Sequence, residues 1–288
     1  MKKILVIGKN SYIGLAFKKW VEEQKKDWFV TCISSRNEEW KNENFGAYDS
    51  VLHVAGIAHV DAKADMEQMY YQVNRDLTIA CCEKAKKDGC RQFVFLSSII
   101  VYGESRSLRP TRITKDTKPC PNGFYGQSKL EAEQGILPMA TDTFKVAVVR
   151  PPMVYGKGAK GNYPKLAKFA ACMPLFPNMK NERSMIHIDN LTECIRLIIE
   201  HQAGGIFYPQ NKEYVCTAEL VKEIAHVKGK NVHLTKLGNP FFKLLGNQIT
   251  IVSKLFGSLT YDKALSSHFG WEYCVYDFKE SIKRTEQK

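Results

Sequence analysis

The stretch FYGQSKLEAE, residues 124–133, sets Tyr125 and Lys129 four positions apart. On a helix that spacing puts both side chains on one face. A phenol with its ordinary pKa of about 10 is a poor base at neutral pH. A cation one turn away stabilises the phenolate and lets it exchange protons with a substrate. The same pair on a surface helix would only meet water, and the pair alone leaves both readings open. A second polar pair, Ser97-Ser98, closes the apolar run QFVFLSS at 92–98. Serine at the carboxyl end of a core strand either turns the chain or faces a ligand, because open α/β sheets bind ligands at that edge.

The elements that must position these residues are legible as short apolar runs. KILVIG (3–8), FVTCIS (29–34), SVLHVAG (50–56), QFVFLSS (92–98) and FKVAVVR (144–150) are near-continuous and apolar, as strands covered on both faces are. Between the first two, Ile13, Phe17, Trp20 and Val21 recur at helical spacing. Before the fourth, Met69, Val73, Leu77 and Ala80 do the same. Strand–helix–strand alternation predicts a parallel sheet with right-handed crossovers, an α/β fold of the Rossmann-type doubly wound class. After Arg150 the pattern loosens into Pro- and Gly-rich PPMVYGKGAKGNYP, a helix over NLTECIRLIIEH (190–201), a strand at GGIFYP, and a helix with Thr217 as expected N-cap. The expected organisation is a dinucleotide-binding domain over 1–155, completed by about 186–210. A smaller C-terminal α/β lobe takes 156–185 and 211–288.

GKNSYIG (8–14) joins the first strand to the first helix. Gly8 allows a sharp turn, Gly14 allows the helix to approach the sheet, and the helix start offers N–H groups to a diphosphate. Ser11 stands where a middle glycine is expected, which is tolerable at negative φ. The second strand ends in Ser34, Ser35 and Arg36, where an acidic residue would bind a ribose 2′-hydroxyl and Arg a 2′-phosphate. NADP(H) is therefore expected ahead of NAD(H).

Composition excludes other classes. The 288 residues are 44% hydrophobic, with no run of about 18 apolar residues to span a membrane. MKKILVIGKN lacks a small-residue cleavage site, so the chain is expected to begin at its first core strand in the cytoplasm. Nine cysteines without a C-x-x-C pair point to mostly buried thiols in a reducing compartment, with no metal site. The net charge of +12 is spread along the chain and is read first as a solvated basic surface, with a phosphate-bearing substrate or an anionic membrane surface as the alternatives. No basic–aromatic platform suggests nucleic acid. His53 and His187 lie in apolar runs and are read as structural, and His59 as a loop residue. The stretch LGNPFFKLLGNQITIVSKLFGSL (237–259) is apolar, with two interior Lys. It is read as packing on the smaller lobe, with peripheral contact to a membrane surface as the sharper alternative.

In order along the chain, GKNSYIG, VLHVAG, SSIIVYG, YGQSK, VVRPPMVYG, GNYPKL, RSMIHIDNL and a degenerate YDKALSSHFGW resemble the extended short-chain dehydrogenase/reductase family of nucleotide-sugar epimerases, dehydratases and reductases. The resemblance is nearest to a short bacterial branch serving capsule and O-antigen synthesis. Members of that branch reduce 4-keto UDP-N-acetyl-6-deoxyhexoses, and close relatives are UDP-glucose or UDP-N-acetylglucosamine 4-epimerases.

The resemblance implies roles by position. Tyr125 matches the catalytic tyrosine, Lys129 the lysine on the nicotinamide ribose, and Ser98 the residue on the sugar C4 oxygen. Asn162 and Arg183 match residues that hold the UDP diphosphate. Gly8, Ser11, Tyr12, Ile13 and Gly14 form the diphosphate turn, with Ser35 and Arg36 at the adenosine ribose. Val54, Ala55 and Gly56 match the adenosine-side loop, Ser97 the strand end beside the cofactor, and Pro151 and Val154 the nicotinamide loop. A 4-keto reductase is expected first and a 4-epimerase second. A dehydratase is disfavoured because Ile99 and Ile100, not acids, follow Ser98. A non-catalytic NAD(P)-sensing module is disfavoured because Ser98, Tyr125 and Lys129 are all retained. The expected partner is a UDP-sugar, and a homodimer is compatible with the sequence.

Overall fold

The structure is a computed structural model and describes residues 1–25, 27–36, 38–58, 64–104, 108–237, 239, 250–267 and 270–287. The chain forms two compact units. The first comprises 1–103, 119–151 and 191–209. The second comprises 104–118, 152–190 and 210–288.

The first unit holds a six-stranded, wholly parallel sheet. Its strands are β1 (Lys2–Ile7), β2 (Trp28–Ile33), β3 (Ser50–His53), β4 (Gln92–Leu96), β6 (Lys145–Val149) and β10 (Gly205–Phe207), in the order β10-β6-β4-β3-β1-β2. All six lie where apolar runs predicted them. Ile4, Leu5, Val6 and Ile7 are fully buried, as are Val51, Leu52, Phe93, Val94 and Phe95, so the inner strands are apolar because both faces are covered, whereas the edge strand β2 buries Val30 and leaves Phe29 open to solvent. The order reverses direction between β1 and β3. That switch point opens a crevice at the carboxyl ends of the strands, the edge where this class of sheet binds ligands. α1 (Tyr12–Glu23) follows β1 and buries Gly14, Phe17, Trp20 and Val21.

The helical stretch before β4 differs from the sequence reading. It runs as α2 (Glu67–Tyr70), a π-helical turn Tyr71–Asp76, and α3 (Leu77–Lys87). Its buried face is Tyr70, Asn74, Thr78, Cys81 and Cys82, while Met69 is exposed and Val73, Leu77 and Ala80 are half-buried. The apolar periodicity misled by one position. Buried Asn74 and Thr78 carry hydrogen bonds that make their burial affordable, so hydrophobicity does not mark the inner face here.

The second unit has its own core around Tyr155, Leu166, Phe176, Leu220, Val221 and Ile282. Its elements include β5 (Thr111–Ile113), β7 (Met153–Tyr155), α5 (Asn162–Cys172), β8 (Leu175–Pro177), β9 (Met185–His187), α7 (Thr217–Val227), β11 (His233–Thr235) and β12 (Leu259–Tyr261). These strands make three two-stranded parallel pairs, β7-β9, β8-β11 and β5-β12. The last pair explains why 104–118 groups with the second unit although it lies within 1–155. α6 (Ile188–Glu200) covers the expected 190–201 helix. Thr217 is the first helical residue rather than the N-cap. Cys216 precedes it in extended conformation, and Asn181 supplies the missing acceptor by taking the Thr217 N–H at 2.9 Å.

All nine cysteines are free; Cys81, Cys82, Cys90 and Cys194 are buried, but Cys120 and Cys172 are exposed. Among the described residues no helix is long and apolar enough to cross a membrane. His59, and residues 238 and 240–249 of the apolar stretch 237–259, lie outside the described residues.

Gly14 is the tightest joint of the sheet edge. A Cβ there would sit 2.9 Å from Val6 Cγ1 and 3.0 Å from Val54 Cγ2. Gly14→Ala should cost about 1–3 kcal/mol through overpacking, read as a lowered urea midpoint with an unchanged m-value. An unchanged midpoint would show that α1 can lift off the sheet freely.

Candidate functional site

The βα turn after β1 is built for close approach. Gly8 adopts φ +125°, and a Cβ on it would press on the Ala55 backbone at 3.1 Å. Ser11 has φ −69° and ψ 132°, so its Cβ is accommodated. Its hydroxyl caps α1 by accepting from Gly14 N at 3.4 Å. Helix geometry leaves first-turn N–H groups without i−4 acceptors and gives that end a partial positive charge. Tyr12 and Ile13 lie in this turn. Val54 and Ala55 are nearly buried beside it, and Val54 N donates to Ile7 O at 3.1 Å. At the end of β2, Ser34 Oγ accepts from Arg36 N at 3.1 Å, while the Arg36 side chain is exposed and Ser35 is half-buried.

The chemistry-bearing residues gather at the ends of β4 and β6 and on α4 (Phe124–Ile136). Ser98 is extended, caps the 3-10 turn Ile99–Tyr102 and hydrogen-bonds the Tyr125 phenol. Gly126 explains the glycine between Tyr125 and Lys129. A Cβ there would lie 2.8 Å from Ile100 O and from Pro121 Cβ, so only glycine lets the first turn of α4 sit close enough to present Tyr125 to Ser98. The buried Tyr70 ring packs edge-on against Tyr125, with centroids 5.9 Å apart. Lys129 Nζ donates to Leu96 O at 3.0 Å and lies 4.6 Å from the Phe95 ring centroid. A Cβ on Gly56 would come within 3.1 Å of that Nζ, which is why position 56 bears no side chain.

Burial pushes the Tyr125 phenol up to about 12, with the Ser98 hydrogen bond opposing. Burial pulls Lys129 down to about 8, with Glu133 opposing. Lys129 is not among the groups that lower Tyr125. Its ammonium donates to the Leu96 carbonyl and faces the Phe95 ring. Of the protein's own groups, Ser98 is the one that favours the phenolate.

Two groups of residues escaped the sequence reading. Asn74, fully buried, accepts from Ile57 N at 2.8 Å and donates to Ile57 O and Ser128 Oγ, each at 3.2 Å. Ser128 Oγ in turn donates to Tyr125 O at 2.9 Å. Asn74 thus ties the loop after β3 to the first turn of α4, and the π-helical turn aims it inward. The second group is Glu133 with Arg150. Both are buried, and the guanidinium donates through Nε and Nη2 to the carboxylate. Ser97 Oγ donates to the same carboxylate, and Tyr102 stacks near the guanidinium while its hydroxyl accepts from Arg150 Nη1 at 2.7 Å. Ser97 is therefore occupied with Glu133. The signal was available: Tyr125, Lys129 and Glu133 fall at i, i+4 and i+8 of one helix.

Pro151, just past β6, accepts from Ile99 N at 2.9 Å. Val154, Asn162 and Arg183 belong to the second unit. There Asn162 is exposed at the start of α5. Arg183 is half-buried, its backbone bridging Val215, with its charge disfavoured by burial and supported by Glu104. His53 and His187 are buried and held neutral, at about 3 and about 4 respectively, burial being the main cause in both. His53 lies between the Phe93 and Phe95 rings, and His187 Nδ1 accepts from Asp189 N at 3.3 Å.

These observations have measurable consequences. Breaking the buried pair by Glu133→Gln should cost about 3–5 kcal/mol. It should also remove the carboxylate that helps keep Lys129 cationic, so activity requiring that cation should fall at lower pH than in the parent protein. A pH–rate profile with an unmoved alkaline limb would separate a purely structural Glu133. The histidines bind a proton in the unfolded state below about 6.5 but not in the folded state. Stability should therefore decline as pH falls from about 6.5 towards 4, by about 2 kcal/mol per histidine at pH 5. Urea titrations at pH 7.5 and 5 measure this, and imidazole 15N shifts of a protonated ring at pH 5.5 would contradict it.

The NAD dependent epimerase/dehydratase family matches residues 4–208. A UDP-glucose 4-epimerase of Vibrio cholerae is 32% identical over 249 residues, covering 82% of this chain and 75% of that protein. The fold is shared with a dTDP-4-dehydrorhamnose reductase from Clostridium acetobutylicum (TM-score 0.75, 17% identity, 98% of both chains). It is also shared with a UDP-glucuronic acid 4-epimerase from Bacillus cereus solved with NAD (TM-score 0.73, 17% identity, 99% of this chain and 95% of that one). Together with the Ser98–Tyr125–Lys129 arrangement at the sheet's carboxyl edge, the match over most of the chain settles kinship: the chain belongs to the NAD-dependent epimerase/dehydratase family.

Proposed function

We propose that the protein oxidises and reduces C4 of a UDP-sugar with a nicotinamide dinucleotide, and that the outcome is epimerisation at C4. The observation that carries this is the Ser98 hydrogen bond to the Tyr125 phenol, with Lys129 Nζ one turn along the same helix. The residues of the β1–α1 turn fit a dinucleotide. Gly8 and Gly14 leave no side chain between turn and sheet, and the start of α1 presents donors to a diphosphate. When bound, the nicotinamide supplies the hydride acceptor and donor.

The protein's own residues do the rest. Ser98 orients the C4 oxygen and stabilises the phenolate. Tyr125 takes the C4 hydroxyl proton as the carbonyl forms and returns it on reduction. Lys129 holds the nicotinamide ribose from its fixed place on the Leu96 carbonyl. Asn74 keeps Gly56 and its loop clear of that lysine. Val54 and Ala55 would flank the adenosine and Pro151 the nicotinamide amide; in the second unit, Val154, Asn162 and Arg183 are the residues the family resemblance assigns to the nicotinamide loop and the sugar-nucleotide diphosphate, the last a grip suited to a guanidinium. With the 4-keto sugar retained, reduction on either face returns one of two 4-epimers.

Net reduction of a 4-keto-6-deoxy-N-acetylhexose is the second reading. Ser34, Ser35 and Arg36 favour it, because an exposed Arg at the strand end, with Glu38 only further on, accommodates a 2′-phosphate and so the reducing cofactor NADPH. A reaction with UDP-galactose or UDP-N-acetylglucosamine and no added reductant should give the 4-epimer. NADPH consumption with a UDP-4-keto-6-deoxy-N-acetylhexose, and no epimer in the first reaction, would replace epimerase with reductase. Neither product would overturn C4 chemistry. Tyr125→Phe should fold, retain dinucleotide and lose about 10²–10⁴ of turnover. Comparing NADPH with NADH tests Arg36, and a clear NADH preference defeats the 2′-phosphate role.

A further inference from the structure

The net charge is not distributed as the sequence suggested. The first unit has nineteen Lys and Arg against eighteen Asp and Glu, while the second has twenty-three against twelve. The excess of +12 is therefore +1 and +11. Within the second unit it concentrates further: residues 152–181 and 224–237 contain eight Lys, no Arg and no acid.

The fold brings these two stretches together. β8 pairs in parallel with β11, Leu175 opposite His233. His233 N donates to Pro174 O at 2.9 Å, and Lys230 Nζ donates to Ala171 O at the end of α5. Asn178 N donates to Thr235 O at 2.8 Å. On this tract Lys165, Lys168, Lys180 and Lys236 are exposed and have no acidic partner among the described residues. Among them stand large apolar side chains open to solvent: Phe169 at 41%, Met173 at 40%, Leu175 at 54% and Leu237 at 94% exposure.

We propose that this tract, the end of α5 with β8, β11 and residues 236–237, docks on the surface of an anionic phospholipid bilayer. Lysines around protruding Leu, Met and Phe are the pattern of interfacial binding, in which apolar tips enter the headgroup region and ammonium groups meet anionic lipid. Two other occupants fit less well. A second copy of the same tract would oppose lysine to lysine. Nucleic acid is gripped by Arg and stacked aromatic rings, whereas the tract has no Arg and, of exposed rings, Phe169 and the His233 imidazole.

Sedimentation of the full chain with vesicles tests this without any sugar nucleotide, so its failure would leave the C4 chemistry standing. Binding is expected to vesicles containing phosphatidylglycerol, not to pure phosphatidylcholine, and to weaken at least tenfold in 0.5 M NaCl. Reversing Lys165, Lys168, Lys180 and Lys236 to Glu should reduce partitioning at least tenfold, and Phe169→Ser with Leu175→Ser should reduce it at unchanged charge. Reversing Lys19, Lys25, Lys86 and Lys87 of the first unit should leave it within about twofold. Absence of sedimentation, equal binding to neutral vesicles, or equal loss from the first-unit reversals would overturn the proposal. So would a tract reversal that abolishes only duplex-DNA binding or only a dimer seen by light scattering. Circular dichroism of each variant distinguishes lost docking from lost folding.

Discussion

The site rests on one buried ion pair. Arg150 leaves the end of β6, Glu133 sits two turns into α4 from Tyr125, and Ser97 ends β4; all three meet at the Glu133 carboxylate. Burying two charges is costly, and their attraction offsets this only when geometry and extra hydrogen bonds are good. Here both carboxylate oxygens and three guanidinium nitrogens are engaged. A hydrophobic pair of similar volume could hold the same elements, but it would fix neither the rotation of α4 about its axis nor its height above the strand ends. The ion pair fixes both. With Glu133 pinned, residues four and eight positions earlier on the same face, Lys129 and Tyr125, have no freedom to turn from the crevice.

The same burial that anchors the helix sets the electrical state of its two other groups. Both Tyr125 and Lys129 are pushed toward neutrality, one up to about 12 and the other down to about 8. Glu133 and Ser98 each oppose one of these drifts. The result is a lysine brought closer to neutral pH and a tyrosine kept protonated until a ligand supplies further positive charge beside it. Lys129 donates one of its three N–H groups to Leu96 O and lies over the Phe95 ring, which fixes the ammonium in place and leaves donors for a ligand. The loop glycine at 56 packs beside it: a Cβ there would come 3.0 Å from Asn74 Oδ1 and 3.1 Å from Lys129 Nζ.

What the sequence made legible follows from how locally each feature is encoded. The inner strands of the sheet were readable because a strand covered on both faces is apolar at nearly every position, and the edge strand β2 was readable although it leaves Phe29 open to solvent. The Gly8–Gly14 turn was readable because positive φ and close packing select glycine. Asn74 was not readable, since its burial depends on partners at Ile57 and Ser128, seventeen and fifty-four residues away. An apolar-periodicity reading assigns such a residue to solvent, and it displaced the whole inner face of α2 and α3 by one position. Asn181, which receives the first N–H of α7 from thirty-six residues upstream, hid for the same reason and left Thr217 as the apparent cap. Polar groups buried through distant partners are the systematic blind spot of pattern reading.

Charge shows the complementary failure. Counted along the chain, lysines looked evenly scattered, and an even scatter implies a surface that merely keeps the protein soluble. Folding sorts them, because segments far apart in sequence join the same unit: 104–118 pairs with β12, and 152–181 with 224–237. The first unit retains acids enough to balance its bases, so the long-range field of the molecule originates in the second. A field confined to one unit has direction, and a directed field orients the protein as it approaches any anionic surface or diphosphate. Net charge as a single number conceals this. The physically meaningful quantity is how charge is divided among the bodies the chain folds into.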